Sequence, residues 1–131
     1  MKFWLQRKMS KIIEAEKIYQ EAREEFERAK QVKDDLKAKD ACSKGWLAAV
    51  KATEALFLAK GLKEEELPKT HRGMRYLLAK YGDKEVRRLF SSIRDTLHID
   101  GYYDGIVDFE ELPEHLDAVW EYIERVRNLS S

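Results

Sequence analysis

Hydrophobic residues recur every three or four positions through most of the chain, which is the spacing of one face of a helix. In the first part of the chain the apolar positions are Ile12, Ala15, Tyr19, Ala22, Phe26 and Ala29. This stripe predicts a long amphipathic helix from about Ser10 to Val32. We expect Ser10 to be its N-cap, because a serine hydroxyl accepts hydrogen bonds from the first backbone amides of a helix.

The next stripe is apolar on more than one face and predicts the central, most buried helix. It contains Cys42, Trp46, Ala49, Thr53 and Leu56, with Leu47, Val50 and Phe57 beside them. Asp34 and Asp35 either start this helix or mark a bend in the first one. Gly61 is a good C-terminal stop, because glycine readily adopts the left-handed conformation that ends helices.

Three more amphipathic stripes follow. Thr70 and Asp83 are the expected N-caps of a third and a fourth helix, and Pro113 suits the first turn of a last one. The residues from Gly101 to Gly105 are expected to end the fourth helix and open a loop. The three stripes are Met74, Leu77, Leu78 and Tyr81; Val86, Leu89, Phe90, Ile93 and Leu97; and Leu112, Leu116, Val119, Ile123 and Val126.

No segment reads as a strand of ordinary length. The spacing therefore predicts an all-α fold, an antiparallel up-down bundle of four to five helices. A length of 131 residues suits a single domain, residues 1–131.

Composition adds expectations about the compartment. The single cysteine, Cys42, allows no intramolecular disulfide, and its place on an apolar stripe predicts a small buried hydrophobe. No signal-peptide core and no run of roughly 20 apolar residues is present, so we expect a cytoplasmic protein without membrane association. One asparagine and three glutamines among many charged residues indicate a thermophilic source.

The net charge is zero but unevenly distributed. Residues 69–94 contain eight Lys or Arg and two acids, whereas residues 95–117 contain eight acids and no Lys or Arg. One interpretation is solvated helix faces and a charged loop. The other is a basic surface for an anionic partner, or two complementary patches in a symmetric dimer.

The sequence contains no phosphate-binding glycine loop and no zinc-binding motif. His71, His98 and His115 lie on three different predicted segments, so neither a metal site nor a cofactor is predicted.

Arg94 and His98 are four residues apart and share a helical face. A guanidinium that binds phosphate, beside an imidazole that transfers a proton, can cleave RNA through the RNA's own 2′-hydroxyl. The alternative is that Arg94 pairs with a nearby acid while His98 packs against the helix end. Tyr102 and Tyr103 either form a polar, aromatic-walled corner with the neighbouring aspartates and glycines or pack back onto the bundle. Tyr102, Tyr103 and Asp100 are the candidate substrate-binding residues.

Three stretches carry a resemblance to a known family: residues 41–61, residues 68–71 (Pro-Lys-Thr-His) and residues 91–105. On these stretches the chain resembles the HEPN superfamily and, within it, the archaeal PaREP-type proteins. Those are small helical domains, often made beside nucleotidyltransferases or in toxin–antitoxin pairs.

The resemblance implies a metal-independent ribonuclease site made of an Arg, a polar residue and a His, with two sites meeting in a homodimer. Arg94 matches the Arg and Asp95 the polar residue. His98 follows after three intervening residues, where the superfamily motif has four to six. If the chain is instead aligned to the superfamily motif on Gly101-Tyr102-Tyr103, Asp100 occupies the position of the motif's histidine.

Three functions remain open. The first is a homodimer that cleaves or binds RNA, with Arg94 holding the phosphate, His98 transferring a proton, and Tyr102 and Tyr103 shaping the site. The second is a non-catalytic partner of a nucleotidyltransferase or an antitoxin. Its partner face would include Phe3, Trp4 and Trp120. The third is a nucleotide-binding bundle with its site near the two tyrosines.

Overall fold

The computed structural model describes the backbone of residues 3–130 and the side chains of residues 9–130. The five α-helices are α1 (Phe3–Val32), α2 (Asp35–Ala59), α3 (His71–Tyr81), α4 (Lys84–Ile93) and α5 (Leu112–Leu129). A 3₁₀ turn lies at Glu64–Glu66, and α4 continues directly into a π-helical segment, Arg94–Tyr103. The described residues form no strand, which confirms the all-α prediction. None of these helices is both long and apolar enough to span a membrane.

The first two helices form an antiparallel hairpin. The Asp34 side chain accepts hydrogen bonds from the backbone amides of Leu36 and Lys37, so Asp34 is the N-cap of a separate second helix. The Lys11 ammonium lies 3.2 Å from Glu54, and the Lys44 ammonium lies 2.6 Å from Glu25. Because early residues of α1 pair with late residues of α2, the two helices run in opposite directions.

The last helix packs along α1 in the same antiparallel sense. The rings of Tyr19 and Trp120 lie 5.2 Å apart, and Arg23 pairs with Asp117. The predicted stripe positions of α1, α2 and α5 are buried. Those residues are Ile12, Ala15, Tyr19, Ala22, Phe26, Ala29, Cys42, Trp46, Ala49, Thr53, Leu56, Leu112, Leu116, Val119, Ile123 and Val126. An up-down arrangement of all the helices stays a prediction.

Most of the predicted helix ends are confirmed. Thr70 and Asp83 accept hydrogen bonds from backbone amides at the starts of α3 and α4, and Pro113 lies in the first turn of α5. The backbone adopts a φ of +101° at Gly61, two residues after α2 ends. Ser10 is not an N-cap, because α1 already begins at Phe3.

The fourth helix does not end at Gly101, as the turn residues predict, but continues to Tyr103. Its last turns are held by i→i+5 hydrogen bonds, as in the bond from the Asp104 amide to the Ile99 carbonyl at 2.9 Å. Gly101 is buried against α2, where a Cβ atom would lie 2.6 Å from the Cys42 sulfur and 3.0 Å from its Cβ. The glycine therefore permits close helix contact here instead of a turn.

We predict that Gly101→Ala destabilises the protein by about 1 kcal/mol or more. Overpacking costs about 1–3 kcal/mol, which exceeds the helix propensity that alanine adds, at most about 1 kcal/mol. Urea denaturation followed by circular dichroism measures the change.

Gly105→Asn is the control. A Cβ atom at Gly105 would have no other atom within 4 Å, and asparagine tolerates the φ of +68° at this position. Adding Cys42→Ala to Gly101→Ala is expected to recover part of the loss by removing the sulfur. A Gly101→Ala protein as stable as wild type would show that α2 and the π-helical segment can separate freely.

Candidate functional site

The π-helical segment forms one wall of a cluster of aromatic and basic side chains. In a π-turn, residues four and five positions apart become neighbours, so His98 lies beside both Tyr102 and Tyr103. The ring centroids of His98 and Tyr103 are 5.0 Å apart, and those of His98 and Tyr102 are 6.3 Å apart with parallel planes. Leu97 and Gly101 are buried on the opposite face. Both tyrosines are exposed, so the aromatic-walled corner is open to solvent.

Trp46 of α2 forms the floor of this cluster. Its buried indole stacks on the His98 ring with centroids 5.1 Å apart and meets the edge of His71 at 5.0 Å. The Phe90 ring lies 5.3 Å away on a third side. Trp46 therefore restricts both imidazoles and shields one side of each from water.

His71 is a site residue that sequence reasoning did not place. It is the first residue of α3, where the Thr70 hydroxyl caps the helix by accepting a hydrogen bond from the Gly73 amide at 3.0 Å. Its ring centroid lies 4.8 Å from that of His98. The only sequence signal was its position in the Pro-Lys-Thr-His stretch, since the two histidines are 27 residues apart.

The closer hydrogen-bond partner of Arg94 is His71 and not an acidic side chain. The Arg94 Nε–H donates to His71 Nδ1 at 3.3 Å, while the nearest Asp95 oxygen lies 3.5 Å from Nη1. Asp95 is largely exposed to water, which weakens such a pair. Because Nδ1 accepts this bond, a neutral His71 carries its proton on Nε2. The Arg94 side chain is 29% exposed, so the guanidinium is partly accessible to solvent.

Burial lowers the pKa of His98, and the neighbouring His71 and Arg94 lower it further. Burial likewise lowers the pKa of His71, followed by the charges of Arg94 and Arg75. Both imidazoles are therefore neutral at pH 7. A neutral imidazole can accept a proton, and the adjacent guanidinium can bind an anion.

Asp100 lies outside this cluster. It lines a separate cavity of about 70 Å³ that also contains Cys42, Thr96 and His115. Thus the structure places Arg94, Asp95, His98, Tyr102 and Tyr103 together and puts Asp100 on another side of the segment. Cys42 is buried as predicted, and burial raises the pKa of its thiol to about 11.

No cluster of three or more His, Cys, Asp or Glu residues suited to a metal ion occurs in the described part of the chain. A groove of about 350 Å³ opens next to the cluster, between α2 and the start of α3. Trp46 and His71 border both the cluster and this groove, which has apolar walls at Leu47, Val50 and Met74.

The aromatic face proposed for a protein partner is only partly described. The side chains of Phe3 and Trp4 lie outside the described residues. Trp120 packs on Tyr19 and remains 37% exposed. This residue alone does not form an extended apolar surface.

Comparison with known proteins supports one of the resemblances noted in the sequence. The comparison with curated proteins finds no match. The model of the archaeal PaREP1/PaREP8 family matches residues 12–123, a range that contains the whole cluster. The chain therefore belongs to the archaeal PaREP1/PaREP8 family.

Proposed function

We propose that this protein is a HEPN-type, metal-independent ribonuclease whose site is the cluster of Trp46, His71, Arg94 and His98. The observation that carries the proposal is the hydrogen bond of Arg94 to His71, whose ring lies beside that of His98. The Arg94 Nε–H donates to His71, Nη1 has only a long 3.5 Å contact with the exposed Asp95, and the His98 ring lies 4.8 Å from that of His71. Cleavage of a phosphodiester by an internal hydroxyl needs a proton acceptor and a group that stabilises charge on the phosphate, and an imidazole and a guanidinium can supply these.

In the proposed reaction the Arg94 guanidinium binds the non-bridging oxygens of the scissile phosphate. Neutral His98 takes the proton from the ribose 2′-hydroxyl, and the 2′-oxygen attacks phosphorus. The bond from phosphorus to the 5′-oxygen breaks, and that oxygen takes a proton from water. The products are a 2′,3′-cyclic phosphate and a 5′-hydroxyl, and His98 returns its proton to solvent.

The remaining residues position this chemistry. His71 acts through Arg94, because its Nδ1 fixes the direction of the guanidinium. Tyr103 is 67% exposed and offers a ring on which a nucleobase can stack, while Tyr102 lies between the His98 ring and the Lys39 ammonium. Asp95 is a weak second partner of Arg94. A homodimer, in which two such sites meet, and a nucleotidyltransferase or antitoxin partner are further parts of the proposal that follow from the HEPN resemblance.

The first test is RNA cleavage in EDTA. We expect wild-type protein to cleave a mixed-sequence RNA and the Arg94→Ala and His98→Ala variants to lose at least about 100-fold in rate, the usual contribution of a positioned proton-transfer group. His115→Ala is the matched control, since His115 lies in the separate cavity. Equal activity of His98→Ala and wild type would refute the assignment, and no cleavage by wild type would favour the non-catalytic partner.

The second test concerns His71 as a positioning residue. We expect His71→Ala to raise the KM for RNA by about tenfold, because the guanidinium loses the partner that orients it. His71→Asn is expected to recover most of this loss, since its amide oxygen can accept the Arg94 Nε–H bond. Steady-state kinetics on both variants measures the difference. Equally impaired variants would indicate that the His71 ring itself is required.

The pH dependence of cleavage follows from the lowered pKa of His98. A base works only when neutral, so activity falls as the pH drops below this pKa. We therefore expect the acidic limb of the rate profile to have its midpoint below 6.5, the ordinary value for histidine. In His71→Asn one cause of the lowering is gone, so the midpoint moves upward. A midpoint above 6.5 in wild type would contradict a base in this setting.

A further inference from the structure

A second concave feature lies between α3 and α4, next to the cluster. It is a cleft of about 170 Å³ lined by Arg75, Leu78, Arg87, Phe90 and Ser91. Leu78 and Phe90 are fully buried and form an apolar floor, while the two arginines are exposed. The cleft thus combines two guanidinium groups and one hydroxyl above an apolar surface.

Neither arginine of the cleft pairs with an acid, which within the described residues is also true of Arg28 and Arg72. Within the described residues, no carboxylate forms an ion pair with Arg75 or Arg87, and no acid lines the cleft. By contrast Arg88, the next residue on α4, pairs with Glu85. Two like charges at one cavity repel each other, and a bound anion removes that cost.

The cleft continues the row of polar groups that begins at the cluster. Arg75 is one helical turn after His71 on α3. Ser91 of α4 is three residues before Arg94, the first residue of the π-helical segment. Arg75 is close enough to His71 to lower its pKa. One turn rises about 5.4 Å, which is on the scale of the step between neighbouring phosphates on one strand.

We propose that Arg75, Arg87 and Ser91 form a second phosphate subsite, which binds the phosphate next to the scissile one in single-stranded RNA. The inference rests on the proposed function, because it takes the cluster as the place where the strand is cleaved. The guanidiniums would fork onto the phosphate oxygens and the serine hydroxyl would donate to them.

The test compares the double variant Arg75→Gln/Arg87→Gln with Arg72→Gln/Arg88→Gln. Both remove two exposed arginines from the same two helices, but Arg72 and Arg88 do not line the cleft. The ligand is a fluorescent 2′-O-methyl RNA, which cannot be cleaved, and anisotropy is measured over a series of salt concentrations. Thermal melts confirm that both variants fold.

We expect the cleft variant to bind this RNA about tenfold more weakly. The slope of log affinity against log salt should become shallower by about 0.7, the value for one phosphate contact on a single strand. The control variant should stay within about twofold of wild type.

Each other outcome decides the proposal. Equal weakening by both variants would overturn it, since the arginines would then act only through general attraction. The proposal would also be overturned if the cleft variant bound RNA as well as wild type does, while inorganic phosphate raised the melting temperature of wild type only. The cleft would then bind a free anion and not RNA. If only the cleft variant binds RNA more weakly and wild type does not cleave RNA, the phosphate subsite is supported and the proposed ribonuclease activity is refuted.

Discussion

The contact of the π-helical segment with α2 is the constraint on which the candidate site depends. Gly101 lies so close to Cys42 that no larger side chain fits without movement. One turn earlier, Leu97 is buried on the same side, and a Cβ on Gly45 of α2 would lie 2.9 Å from it. With this inner face fixed against α2, His98 and the tyrosines must face outward above Trp46.

The bond between Arg94 and His71 follows from this placement and has an electrostatic consequence. A guanidinium beside two partly buried imidazoles disfavours their protonation, and burial acts in the same direction. The guanidinium of Arg94 therefore stands beside two rings whose protonation is disfavoured. That combination keeps a proton acceptor available near neutral pH next to a group that can attract an anion.

The helices could be predicted from the sequence because burial repeats along each of them. Ile12 to Ala29 on α1 and Leu112 to Val126 on α5 are buried at the predicted positions, and the Thr70 and Asp83 caps act through local hydrogen bonds. The π-helical turns could not be predicted. These turns are held in place by contacts with α2, whose residues are far away in the sequence. Because the local sequence does not contain that information, its glycines suggested a loop.

The difference between local and long-range contacts also explains which part of the site could be predicted. Arg94 and His98 lie on one helix, so their proximity follows from spacing alone. His71 reaches them only because α3 starts next to Trp46, which is a tertiary contact. Neither the spacing of apolar residues nor a helix-capping residue predicts this contact. Asp100 shares the segment with His98, but its side chain lines the other cavity.

The charge segregation along the chain is not neutralised by the fold. Between residues 69–94 and residues 95–117, the described side chains form one ion pair, the long contact of Arg94 with Asp95. Two acids of the second segment have other partners: Asp117 pairs with Arg23, and Asp108 accepts a hydrogen bond from the Glu110 amide within the same segment.

Two of the partners considered for the basic segment therefore compete for the same groups. RNA phosphates and the acidic patch of a second copy would both bind Arg75 and Arg87, and one guanidinium cannot fully pair with both. A dimer that matched basic to acidic patches at these arginines would block the cleft. A dimer compatible with the proposed RNA path must consequently be built on another surface, with the row from Arg94 to Arg87 left open.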